Sequence, residues 1–191
     1  MEQRERTVGH CSFDEEQFQR STEQSIRLLL AFMSKHDVVA KRILDVGCGV
    51  GRISSVLIPF FQEVYGIDIS LWAVERARQN HSRGNFQTYN GERMPFEDGY
   101  FGTCLSWTVL QHIPPQEIEG VCGEIARVME PKGRLILYEN VSSIPDKKHI
   151  WYRSVKSYWE LFKGFELKVA EVIDGADGNS ELHTLMLLRK P

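Results

Sequence analysis

The chain lacks any apolar run long enough to cross a bilayer. Its longest, Leu28 to Met33, spans six residues, where a spanning helix needs about 20. The first twenty residues mix Glu, Gln, Arg and Asp with no apolar stretch, so no secretory leader is expected and the expected location is cytoplasmic. Cysteine is scarce: Cys11, Cys48, Cys104 and Cys122 are scattered, with no C-x-x-C pair. That argues against a disulfide frame or a zinc site and for reduced thiols. His, Cys, Asp and Glu do not gather at ligand spacing, so no metal is expected. Basic residues are not in excess, 23 Lys and Arg against 26 Asp and Glu, and the pI is about 6.1. The basic footprint of a nucleic-acid binder is therefore missing. No internal repeat or low-complexity linker breaks the chain. With 191 residues, 42% of them hydrophobic, one domain over 1–191 with a full core is expected.

What is present is organised around Lys41 to Ile53. An apolar, β-rich run, Ile43 to Val46, breaks into three alternate glycines (Gly47, Gly49, Gly51) and resumes at helical spacing with Ile53, Val56 and Leu57. This reads as a strand, a tight turn and a helix start, an arrangement that turns backbone N–H groups toward a ligand. Glycine lets that ligand approach the main chain more closely than a Cβ allows. A dinucleotide fingerprint, G-x-G-x-x-G, would need glycine at position 52, where Arg52 stands. The pattern is instead D-x-G-x-G-x-G, beginning at Asp45. Asp68 follows 23 residues later, at the end of the next strand, where an open α/β sheet places an acid for two ribose hydroxyls.

Along the chain, Ser12 to Glu15 and Ser21 to Gln24 both read as capping boxes. The second opens a helix with Ile26, Leu29, Leu30 and Met33 on one face. Further helices are expected over 51–61, over 71–81 with Ser70 as cap, and over 116–129 and 147–162. Strands are expected over 43–46, 63–68, 85–89, 101–107, 134–139, 165–173 and 182–188, with Pro131 to Gly133 and 174–179 as turns. Alternating strands and helices demand a parallel sheet with right-handed crossovers. The closing hairpin makes the last strand antiparallel.

The glycine motif and Asp68 resemble those of the class I S-adenosylmethionine (SAM)-dependent methyltransferases, of the type 11-like kind. Asn90 to Phe101 is similar to that family's D-A-E-x-L-P-F-x-D-x-x-F segment, with Asn90 in place of the first acid. The resemblance covers about residues 40–189. It implies an α/β, Rossmann-like doubly wound sheet of seven strands in the order 3-2-1-4-5-7-6, a three-layer sandwich. It also implies SAM as cofactor and S-adenosylhomocysteine (SAH) as product. The cofactor residues it implies are Asp45, Gly47, Cys48, Gly49, Arg52, Asp68, Ile69, Asn90, Gly91, Glu92 and Trp107. Asn90 would accept from the adenine amino group without charge assistance. Residues 12–37 would form a helical lid, or simply a packing helix, and 143–163 a substrate-side helical segment.

Arg52, Ile58 to Val64 and Trp107 to His112 also resemble the protein α-N-terminal methyltransferases. There, the matching Arg meets the SAM carboxylate, and residues matching His112 and Asn140 line the substrate amine. That family's Asp, about a dozen residues after the Asn, falls here near Lys147 to His149, with Asp146 close but not equivalent. His112 and Asn140 are the catalytic candidates. His112 could serve as base or sit as a loop histidine, and Arg52 could be an ordinary helix arginine. The aromatic cluster 151–162 could be core or a substrate cage. The implied function is methyl transfer from SAM to a nucleophilic O or N of a small molecule, by in-line displacement. A peptide amine methyltransferase and a non-catalytic SAM-binding protein are the alternatives; a nicotinamide oxidoreductase is disfavoured by Arg52. A monomer or weak dimer is expected, with no nucleic acid or membrane partner.

Overall fold

Four apolar or buried side chains in a row, Ile43 to Val46, commit strand β1 (Arg42–Val46) to a position covered on both faces, as parallel sheets require. The computed structural model describes residues 15–141, 150–174 and 182–191. Its seven strands, counted in chain order, form one sheet in the order 3-2-1-4-5-7-6, the order expected. The chain divides into two units, Met1–Thr88 and Tyr89–Pro191.

The first unit comprises α1 (Glu15–Lys35), β1, α2 (Arg52–Leu57), β2 (Glu63–Asp68), α3 (Leu71–Asn80) and β3 (Asn85–Thr88). β1 pairs with β2 and β2 with β3, both parallel, setting Asp45 beside Gly66 and Gly66 beside Phe86. α1 buries Leu29, Phe32 and Met33, the stripe that the 3.6-residue period predicts. It runs without a break through Ser21 and Thr22, so the second capping box is helix interior rather than a start. No glycine or proline lies between Glu15 and Ser21 to stop it. The first box lies outside the described residues. α2 is shorter than expected: Pro59 has no N–H to extend it, and the Phe60 and Phe61 amides both turn back to Leu57 O. Ser70 caps α3, its hydroxyl accepting from the Ala73 amide at 3.3 Å, as expected.

The second unit comprises β4 (Phe101–Trp107), a 3₁₀ turn (Leu110–His112), α4 (Ile118–Val128), β5 (Met129–Asn140), α5 (Val155–Leu161), β6 (Glu166–Asp174) and β7 (Leu182–Arg189). β4 and β5 are parallel; β7 is antiparallel to both β5 and β6. The expected turn at Pro131 to Gly133 is a bulge within β5. Phe101 pairs with Met129 and Thr103 with Arg134, so two steps of β4 face five of β5, and Lys132 takes φ 65°. Of the helix expected over 147–162, a shorter one forms among the described residues. Residues 142–149 lie outside the described ones, 150–154 are not helical, and α5 begins after Ser154, whose hydroxyl accepts from the Ser157 amide at 3.0 Å. The turn 174–179 falls largely outside the described residues. Tyr158 and Phe162 are core, which settles those two aromatics as packing.

Gly66 shows how tightly the first unit is packed. A Cβ there would lie 2.6 Å from the Phe86 ring and 2.8 Å from Cys48 Sγ. Gly66→Ala is expected to cost about 1–3 kcal/mol by overpacking, read as a lowered urea midpoint. An unchanged midpoint would mean that the Phe86 ring swings aside freely.

Candidate functional site

In the first unit, β1 ends on Asp45 and Val46 and the chain enters the glycine turn. Gly49 has φ 54° and Gly51 φ 83°, conformations that side-chain-bearing residues avoid. The two differ in what surrounds them. A Cβ on Gly51 would meet His81 at 2.8 Å and Ala77 at 3.2 Å, whereas one on Gly49 would meet nothing within 4 Å. Gly51 is thus required by packing and Gly49 borders open space.

The turn's amides are already engaged. Gly47 and Cys48 N–H donate to Ile67 O (2.7 and 3.0 Å) and Gly51 N–H to Cys48 O (3.0 Å), while Gly49 N–H donates to Asp68 Oδ2 (2.9 Å). A pyrophosphate would need such groups free. With these four amides closed, the turn offers carbonyl oxygens and carboxylates instead, which suits a cation. Asp68 Oδ1 also accepts from Ser70 N–H at 2.8 Å. The Ile69 amide is a third donor to this carboxylate, so of its roughly four acceptor positions one is left for a hydroxyl. Burial pushes its pKa up, and the Ser70 and Gly49 amides oppose that. Asp45 is buried and accepts from Ser54 Oγ at 2.5 Å. Burial raises its pKa to about 6, against the pull of the Ser54 hydroxyl.

Arg52 is half-buried and donates to the Thr22 hydroxyl on α1. Desolvation lowers its pKa, opposed by the Asp45 charge. Cys48 packs inward with Val74, Ala77 and Phe86; only its backbone remains for a cofactor. Ile69 is 57% exposed.

In the second unit, Asn90 and Glu92 form a closed pair. Asn90 Nδ2 donates to Glu92 Oε2 (2.9 Å) and Glu92 N–H to Asn90 Oδ1 (3.1 Å). Between them Gly91, at φ 89°, would have nothing within 4 Å of a Cβ. Trp107 is buried and stacks on Tyr138, with centroids 4.2 Å apart. Asn140 is wholly buried, its backbone N–H donating to Gln111 Oε1 at 2.9 Å. His112 is half-buried, its Nε2 lying 3.3 Å from Gln111 Nε2.

Glu139 is more central than its neighbour. With no exposed surface, it accepts from Ser106 Oγ (2.8 Å) and from the amides of Val109 (3.2 Å), Leu110 (3.0 Å) and Gln111 (3.1 Å). Burial lifts its pKa to about 7 against those four bonds.

Residues 44–137 match the family model described as a methyltransferase domain. Those residues, just under half of the chain, carry the methyltransferase domain. The chloroplastic tocopherol O-methyltransferase of Arabidopsis thaliana is 28% identical over 147 residues, 71% of this chain and 42% of that protein. The chain thus spans well under two thirds of that curated relative. The magnesium protoporphyrin IX methyltransferase of Synechocystis, solved with bound SAH, superposes with a TM-score of 0.74 at 17% identity, covering 100% of this chain and 94% of that one. The [4+2]-cyclase SpnF shares the fold at TM-score 0.68 and 20% identity, over 80% of this chain and 76% of that one.

The cofactor of this methyltransferase family is SAM, and the first unit fits it on its own observations. SAM carries a sulfonium, an ammonium, a carboxylate and a ribose diol. Asp45 and Asp68, the open side of Gly49 and the Arg52 guanidinium answer those groups in kind. Among residues missed at the outset, Gln111 and Arg153 matter most. Arg153 donates to Leu110 O (2.9 Å) and Ile113 O (2.7 Å). Nothing in its sequence neighbourhood distinguishes it, because these two partners lie 43 and 40 residues away and only Trp151 O is local.

The Asp45 shift has a testable sign. Its carboxyl titrates near 3.8 unfolded and about 6 folded, so the folded state holds the extra proton between those values. Stability from this group is present below pH 4 and is lost as pH rises through 6. Relative to Asp45→Asn, the methyltransferase should lose on the order of 3 kcal/mol of unfolding free energy between pH 4 and 7, measured by urea titration. Parallel curves for the two proteins would refute the shift.

Proposed function

We propose that this chain transfers a methyl group from SAM to a nucleophilic oxygen or nitrogen of a small-molecule acceptor, releasing SAH and a proton. The observation that carries this reading is Asp68 anchored on the Gly49 amide beside the open side of that glycine. When bound, SAM supplies a methyl group already activated by its sulfonium. The residues then need only bind, orient and exclude water, and positioning alone can supply much of the acceleration.

Asp68 would take a ribose hydroxyl and Arg52 the carboxylate, through a charge-assisted fork. The backbone at Gly47 and Gly49 would meet the ammonium. Asn90, Gly91, Glu92, Ile69 and Trp107 are proposed for the adenine side. His112 is proposed to receive the acceptor's proton as the new bond forms, and Asn140 to border the acceptor. The tocopherol and protoporphyrin methyltransferases named above support a small acceptor. No described helix is long and apolar enough to cross a membrane.

A second reading, SAM binding without methyl transfer, is favoured by two observations. The shared fold of a cyclase shows that the scaffold hosts other chemistry. Asn90 also brings no charge to the position where the family has an acid.

Two measurements test the proposal. Asp68→Ala should weaken SAH binding by more than tenfold in calorimetry, the loss of buried hydrogen bonds being worth about 1.5–3 kcal/mol; an unchanged dissociation constant removes the ribose assignment. Tritiated methyl-SAM incubated with fractionated cell extract should label a small molecule. Label in no fraction would favour the binding-only reading, and label in peptides would favour the amine alternative.

A further inference from the structure

The segment after β4 is held in an unusual way. Thr108 takes φ 57°, a left-handed conformation that a β-branched residue strongly avoids. Its amide donates to Tyr138 O at 2.7 Å. The reversal at Thr108 turns three successive amides, Val109, Leu110 and Gln111, onto the Glu139 carboxylate. Two of the loop's carbonyls, Leu110 and Ile113, face the Arg153 guanidinium. A third, Gln111 O, accepts from the Trp151 amide at 2.8 Å.

An acid thus gathers the donors of the loop while a base gathers its acceptors. Ser106 on β4 ties the same carboxylate to the strand the loop leaves. Leu110 and Gln111 are buried, and His112 keeps part of its surface. The Gln111 side chain joins the Asn140 backbone N–H to the His112 ring.

We infer that Glu139 and Arg153 are positioning residues for His112, fixing its imidazole by gripping the backbone of residues 109–113 through its N–H groups and its carbonyls respectively. Strained conformations such as that of Thr108 persist only where the surroundings over-determine them, and Glu139 supplies that determination from within the sheet. Charge-assisted bonds in a dry setting make the grip stiff. Glutamine at 139 would keep the shape but replace one acceptor oxygen with a donor, facing amides that also donate. The inference rests on the proposed function only in that His112 meets the acceptor.

The test uses the full ¹⁵N-labelled chain. In Glu139→Gln, amide exchange at Val109, Leu110 and Gln111 should quicken at least tenfold and the His112 imidazole ¹⁵N signals should move. Amides of α3 and the SAH dissociation constant should stay within twofold of wild type, and Glu139→Asp should recover part of the His112 signature. Arg153→Met gives a second route to the same signature should Glu139→Gln not fold. Quickened loop exchange with unmoved His112 signals would overturn the inference, as would no change in either readout, or a loss spread equally to α3. Tritium transfer by His112→Ala bears separately on the catalytic reading: full activity there would end the role of His112 as base and leave the positioning result standing.

Discussion

The Asp68 carboxylate, fixed between the amides of Gly49 and Ser70, is the interaction on which the first unit's chemistry depends. It closes the end of β2 over the turn that follows β1 and starts the chain into α3. Without it the Gly49 amide would lose its partner, and the open side of that glycine would have no fixed geometry. The cost is desolvation of a carboxylate, visible in its raised pKa. The gain is a charged acceptor that is set in place before any ligand arrives, so little ordering remains to be done on binding.

The second unit repeats the device. Glu139 stands at the end of β5 and collects the amides of the loop that follows β4, its parallel neighbour. In both units an acid at a strand's carboxyl end binds the loop leaving the adjacent strand. The reason lies in parallel sheets themselves. Where a strand ends, its neighbour's loop presents N–H groups that no longer have ladder partners, and buried N–H groups must be satisfied. A side chain from the next strand reaches them, and an ionisable one adds charge at the edge where ligands bind.

Much of this was legible in the sequence. β2 and β4 begin and end where expected, because short buried strands are set by apolar runs bounded by turn residues. Asp68 was legible because its spacing from the glycines is fixed by one βαβ unit. The engaged amides of residues 47, 48, 49 and 51 were not, since partner choice depends on Ile67 and Asp68 converging in space. Ser21 and Thr22 carry the composition of a cap, but composition does not say whether a helix has already begun upstream. Pro131 to Gly133 carry turn chemistry and do turn, yet pairing resumes on both sides and makes the turn a bulge. Arg153 was invisible because two of the three carbonyls that define its role are distant in the chain.

The closed turn also bears on which ligand the first unit can hold. A phosphate is recognised by free N–H groups, and a sulfonium or ammonium by carbonyl oxygens and carboxylates. Asp68 uses up the Gly49 amide, and that same bond brings its negative charge to the turn. One hydrogen bond thereby weakens the case for a dinucleotide and strengthens the case for a cationic ligand. Arg52 adds the third element, for it stands where a dinucleotide turn needs glycine and brings a guanidinium fork to the first position of the helix after the turn. The departure from the dinucleotide pattern at position 52 and the occupied amide at position 49 thus have the same chemical meaning, and neither depends on the family match.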